Sequence, residues 1–174
     1  AHTPRGEVTP LKEITTKDEL RFGTGMAELD RVLGGGAVKG SLVLVGGEPG
    51  IGKSTILLQI CDYLCKSLKV LYISGEESKR QLKLRAERLG VGSENLYLLC
   101  ETNLDDILAS ADRLKPDLLI VNNGLHGWHL SDDSEYPRLL EEFLLALRER
   151  LQIPVAVVLT TRVADAGRNE RVKA

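Results

Sequence analysis

The eight residues Gly47-Glu48-Pro49-Gly50-Ile51-Gly52-Lys53-Ser54 match the pattern G-x-x-x-x-G-K-[ST] at every fixed position, and few short motifs restrict a fold as tightly. The pattern requires a strand that feeds a glycine-rich turn and a helix that starts near the lysine. The flanks comply: Leu42-Val43-Leu44-Val45 is an apolar strand candidate, and residues 53–67 have the spacing of an amphipathic helix. Glycines allow backbone N–H groups to converge on phosphate oxygens, and the start of the helix adds its positive end. In this pattern Lys53 supplies a point charge for the β- and γ-phosphates, and the Ser54 hydroxyl suits a magnesium ion. The expected phosphate-binding residues are therefore Gly47, Glu48, Pro49, Gly50, Ile51, Gly52, Lys53, Ser54 and Thr55, with ATP and Mg2+ as the ligands they would hold. The plain alternative is a glycine-rich strand-to-helix turn with an exposed lysine.

Around this turn, short apolar runs alternate with amphipathic stretches. Strands are expected at about 41–46, 69–74, 96–99, 117–122 and 154–160, and helices near 25–33, 53–67, 78–89, 103–114 and 137–151. That alternation predicts an α/β fold with a mainly parallel central sheet flanked by helices on both faces. The runs Leu42–Val45 and Leu118–Val121 are apolar at every position, as central strands with two buried faces should be. On the helix near 137–151, Leu140, Phe143, Leu144 and Leu147 form one stripe, while Glu141, Glu142, Arg148 and Glu149 face water. Residues 1–20 carry little apolar periodicity and read as an arm or linker, so the domain is placed at 21–174.

Two strand ends hold candidate chemistry. The strand at 69–74 runs into Gly75-Glu76-Glu77-Ser78, and a carboxylate at the C-terminal edge of a parallel strand points into the crevice where open α/β sheets bind ligands. Glu76 or Glu77 could orient or deprotonate a water that attacks the γ-phosphate; equally, two acids could simply favour the positive end of the next helix. Leu118–Val121 resembles a strand that should end in a magnesium-holding aspartate, but the next residue is Asn122. Asparagine offers the metal a neutral carbonyl oxygen, which weakens hydrolysis more than binding. Asp117 precedes the strand and is at the wrong end for that role.

The remaining polar features are less specific. Trp128, with His126 and His129, reads as a loop whose tryptophan packs on its own domain or a neighbouring subunit, against readings as half a metal site or a base-stacking residue. Thr160, Thr161 and Arg162 lead into a tail with Arg168, Arg171 and Lys173, either solvated or in contact with DNA phosphates. With a formal charge of -2 over 174 residues, overall charge does not draw the chain to polyanions. Cys61, Cys65 and Cys100 are too few for a disulfide framework and read as buried thiols. No apolar run reaches the ~20 residues a membrane helix needs, and the N-terminus is polar, so a cytoplasmic protein is expected.

Five segments in order carry a more specific signal. They are Thr24 to Gly36, Gly40 to Gly47, the phosphate turn, Leu71-Tyr72-Ile73-Ser74-Gly75-Glu76-Glu77-Ser78, and Arg85-Ala86-Glu87-Arg88-Leu89-Gly90. Together, over about residues 22–121, they resemble the ATPase core of the bacterial RadA/Sms family within the RecA superfamily. The resemblance implies a RecA-like P-loop ATPase fold, a homo-oligomeric ring or filament with ATP near subunit interfaces, single-stranded DNA as polymer partner, and a role in recombination and repair. It implies that Glu76 carries the catalytic carboxylate, with Glu77 as its neighbour and Lys53 on the phosphates. Asn122 replaces the family's metal-binding aspartate, and Leu159-Thr160-Thr161 stands where a histidine is expected. The family's four-cysteine zinc motif, its Lys-Asn-Arg-Phe-Gly motif and its protease-like C-terminal domain are not in this sequence, which fits either an excised core or a divergent relative. A nucleotide-binding switch with little turnover is the alternative that Asn122 motivates.

Overall fold

The computed structural model describes residue 10 and residues 21–38, 41–46, 50–122, 135–151 and 155–158. Seven strands and five helices alternate along them: β1 (Arg21–Phe22), α1 (Ala27–Val32), β2 (Ala37–Val38), β3 (Leu42–Val45), α2 (Lys53–Leu64), β4 (Val70–Ser74), α3 (Lys79–Leu89), β5 (Leu96–Cys100), α4 (Leu104–Leu114), β6 (Leu118–Asn122), α5 (Glu135–Leu151) and β7 (Val155–Val158). Every helix and sheet strand expected from apolar periodicity has a counterpart within a few residues at either end. The exception is the short antiparallel pair β1 and β2, whose two residues each are too few to show a period.

Strands β3, β7, β6, β4 and β5 form one sheet in that order, and every pairing is parallel. From β3 the chain crosses to β4, leaving two positions that β6 and β7 fill later. The registers align the strand ends: Val45 pairs with Val158, Val158 with Asn122, Asn122 with Ser74, and Ser74 with Cys100. One row of residues thus forms the C-terminal edge of the whole sheet.

Alternate side chains of each strand serve opposite faces. On one face Val70, Tyr72, Leu118 and Ile120 pack with Leu57, Leu58, Cys61 and Leu64 of α2 and Leu82 and Ala86 of α3. On the other, Leu71, Ile73, Leu119 and Val121 pack with Ile107, Leu108 and Ala111 of α4 and Leu147 of α5. β4 and β6 are buried at every position, which explains their unbroken apolar runs. Helices therefore cover both faces, as the sequence pattern predicts. Phe143 and Leu144 pack beside Leu147, in agreement with the stripe read for α5, while Leu140 lies outside the side chains described.

At the opposite edge of the sheet, the Asp117 carboxylate accepts the Lys69 backbone N–H at 2.8 Å, and the Asp117 N–H donates to the Lys69 carbonyl at 2.8 Å. This clamp starts β4 and β6 in register, and it leaves Asp117 on the edge away from the phosphate turn.

Leu58 is fully buried at the centre of α2, the helix that carries Lys53 and Ser54. Leu58→Ala should lower unfolding free energy by about 2–5 kcal/mol, measured by urea denaturation. A loss below about 1 kcal/mol would show that α2 is not held by this cluster.

Candidate functional site

The phosphate turn leaves the C-terminal end of β3, and its second half is described from Gly50 onward; Gly47, Glu48 and Pro49 lie outside the described residues. Gly52 adopts φ 100°, a left-handed conformation that favours glycine, and serves as the N-cap of α2. The first helical bond follows at once, from the Ile56 N–H to the Gly52 carbonyl at 3.0 Å. No side chain caps α2, and its first turn holds no acid. α3, by contrast, begins with a capping box in which Ser78 and Gln81 exchange hydrogen bonds, and α4 begins with the Asn103 side chain accepting from the backbone N–H groups of Asp105 and Asp106. Glycine at the cap of α2 leaves the first-turn N–H groups unmatched by any capping side chain, which is the arrangement an anion fits.

Lys53, at the first position of α2, is only 8% exposed. Ser54 and Thr55 are half-buried beside it, whereas Ile51 projects into solvent. The turn therefore brings a buried ammonium, a hydroxyl and a helix start without a capping side chain to one corner of the sheet edge.

Asn122 closes that corner from β6. It is 1% exposed, and its Nδ2 donates to Ser54 Oγ at 3.2 Å and to the Tyr72 hydroxyl at 3.3 Å. β7 separates β3 from β6, so this contact is made through the start of α2 rather than between neighbouring strands. With its NH2 end engaged by two hydroxyls, the Asn122 side chain keeps Oδ1 as its acceptor. The Ser54 hydroxyl oxygen is the kind of ligand a hard cation such as magnesium takes, and it is the Asn122 NH2 end that faces it, with phosphate and water left to supply negative charge and further ligands. Among the described residues no group of three His, Cys, Asp or Glu side chains is placed to hold a metal.

On β4 the edge row continues with Ser74, 2% exposed, whose Oγ accepts the Glu77 N–H at 2.9 Å. This bond and the Cys100 thiol, which donates to the Glu77 carbonyl at 3.1 Å, hold the turn after β4. The Glu77 carboxylate is 15% exposed and lies 2.8 Å from the Arg85 guanidinium on α3. Glu76 is exposed. Two adjacent acids therefore differ in burial, Glu77 half-buried in an ion pair and Glu76 exposed at the sheet edge. Spacing alone reveals neither the Arg85 partner nor the Tyr72 hydroxyl. Arg85 lies on a separate element from Glu77, and Tyr72 has the pattern of any bulky residue in a buried strand.

Cys61 within α2 and Cys65 at its C-cap are buried in the core, and burial pushes both thiols up from their ordinary pKa. Cys100 is half-buried, and burial raises its pKa too. His126, Trp128, His129, Thr160, Thr161, Arg162, Arg168, Arg171 and Lys173 lie outside the described residues. Among those described, no helix is long and apolar enough to cross a membrane.

Residues 22–123 match the protein family described as ATPase: KaiC. The chain is 54% identical over 118 residues to the DNA repair protein RadA of Listeria monocytogenes, an alignment covering 67% of this chain and 26% of that protein. It is 41% identical over 160 residues to the RadA of Haemophilus influenzae, covering 88% of this chain and 35% of that one. With the RadA of Aquifex aeolicus the identity is 49% over 116 residues, covering 67% and 26% respectively. The chain spans about a quarter to a third of the length of these relatives.

Arg85→Ala should cost about 1 kcal/mol or less in thermal or urea unfolding, because the pair it breaks is only partly buried. A loss several times larger would mean that Arg85 supports more of the β4 edge than the Glu77 carboxylate.

Proposed function

The chain belongs to the KaiC-type ATPase family, and from that premise we propose that it binds ATP with magnesium on the turn Gly47–Thr55 and hydrolyses it in support of DNA repair. The observation that carries this reading is the start of α2: a left-handed glycine cap, no capping side chain, no acid in the first turn, and a buried lysine at its first position. A triphosphate there would meet backbone N–H groups, the Lys53 ammonium and the positive end of the helix.

Roles follow from the setting of each residue. Gly50 and Gly52 let the backbone approach the phosphates, Lys53 would neutralise charge on the β- and γ-phosphates, and Ser54 and Asn122 would hold the magnesium. Magnesium, when bound, withdraws charge from the phosphoryl oxygens. Glu76 is the residue for orienting and deprotonating the attacking water, since it is exposed at the sheet edge two residues beyond Ser74. Glu77, held by Arg85, fixes the turn that presents it. Asn122 lacks the charge of an aspartate, so turnover is slower than the fold allows, yet family placement favours turnover over a purely binding switch.

The relatives are named as DNA repair proteins, and we extend that partner to this chain as single-stranded DNA. Among the described surfaces, α3 offers the best match to a phosphate backbone: Lys79, Arg80, Lys83 and Arg88 are exposed along it, with Glu87 as the exposed acid. A ring or filament of copies, and a core occupying residues 21–174, belong to the same proposal.

Steady-state phosphate release with and without single-stranded DNA tests it. Glu76→Gln should cut turnover by about 10²- to 10⁴-fold while nucleotide still binds. Paired Lys79→Glu and Lys83→Glu changes should abolish any DNA stimulation and leave the basal rate in place. Turnover that survives Glu76→Gln would remove that residue from the chemistry.

A further inference from the structure

Tyr72 lies at the middle of β4, is 0% exposed, and belongs to a core cluster whose other buried members are aliphatic side chains and thiols. A buried hydroxyl costs stability unless it is hydrogen-bonded, and phenylalanine would fill the same space without that cost. The partner that offsets the cost is in the phosphate corner: the hydroxyl accepts from Asn122 Nδ2 at 3.3 Å, and the same Nδ2 donates to Ser54 Oγ. Burial drives the phenol pKa far up, so the group stays neutral and keeps both a donor and an acceptor.

The amide at position 122 makes this contact consequential. A carboxylate presents two equivalent oxygens, whereas an amide has an NH2 end and an oxygen end, and one bond to Ser54 does not determine which end faces the hydroxyl. In the structure the same Nδ2 donates to a second hydroxyl, that of Tyr72, at 3.3 Å. The two bonds together hold the NH2 end toward Tyr72 and Ser54 and tie the Ser54 hydroxyl to a buried side chain of β6. With no negative charge on Asn122 to attract magnesium, the orientation of neutral oxygens carries more of the selectivity for the ion.

We propose that Tyr72 is a positioning residue of the metal-phosphate site: its hydroxyl fixes the Asn122 amide, and the amide holds Ser54 Oγ where it meets magnesium on bound nucleotide. This inference rests on the nucleotide-binding reading above. Tyr72 touches neither phosphate nor metal itself and acts through the two residues that do.

The test is calorimetric binding of a nonhydrolysable ATP analogue across a magnesium series and in EDTA, for the unaltered chain and for Tyr72→Phe. The half-saturating magnesium concentration should rise about three- to tenfold in Tyr72→Phe, while metal-free binding stays within about twofold. In an Asn122→Leu background, Tyr72→Phe should add no further shift, because the relay is already cut. An unchanged magnesium requirement, an equal loss with and without metal, or full additivity with Asn122→Leu would overturn the proposal. Should Tyr72→Phe not fold, the chain labelled with 3-fluorotyrosine decides: the Tyr72 resonance, assigned by removing Tyr63, Tyr97 and Tyr136 in turn, must move when magnesium joins the nucleotide complex, and a fixed resonance overturns the relay. If the unaltered chain binds no analogue at any magnesium concentration, the nucleotide-binding reading fails; if it binds and Tyr72→Phe is indistinguishable, only this inference does.

Discussion

The alignment of five parallel strand ends into one row sets everything that happens at this edge of the molecule. Because Val45, Val158, Asn122, Ser74 and Cys100 share that row, the loops that follow β3, β6 and β4 leave the sheet at the same level. The glycine-rich turn, the Asn122 amide and the Glu76–Glu77 turn are therefore neighbours, although 77 residues of sequence separate Val45 from Asn122. Parallel pairing also forces a crossover between successive strands, and the helices that make those crossovers bury both faces of the sheet. The clamp between Lys69 and Asp117 at the far end keeps β4 and β6 from slipping, and a slip of one residue would turn Asn122 away from Ser54.

Within this frame the phosphate corner is assembled from helix chemistry rather than from loop chemistry. Capping residues satisfy the first turns of α3 and α4, while α2 starts on a glycine with no side chain to cap it. Such a start leaves backbone donors unpaired by side chains, a cost that a bound anion would offset. The same logic explains why a lysine can be 8% exposed at that position: a positive group beside the positive end of a helix is tolerable where an anion belongs.

Much of the fold is legible in the sequence because it rests on periodicities that a chain displays openly. Continuous apolar runs mark β4 and β6, and the 3.6-residue stripe marks α5. The phosphate turn is legible because its spacing serves a mechanism. Contacts between distant residues leave no such trace. Tyr72 occupies an apolar strand position and its hydroxyl matters only because β4 pairs with β6, while Glu77 differs from Glu76 in burial and in contacts with Ser74, Cys100 and an arginine on the helix that follows. The ribbon of β1 and β2 escapes a reading by period because it is held by long-range pairing, with no pattern of its own.

Every role assigned at this corner requires a magnesium nucleotide to settle at the start of α2, and isothermal titration of magnesium ATP into the chain measures that step. Saturable binding at one site per chain, competed by ADP and abolished by Lys53→Glu, is expected. Absence of any binding heat, or binding indifferent to the charge at position 53, would contradict it.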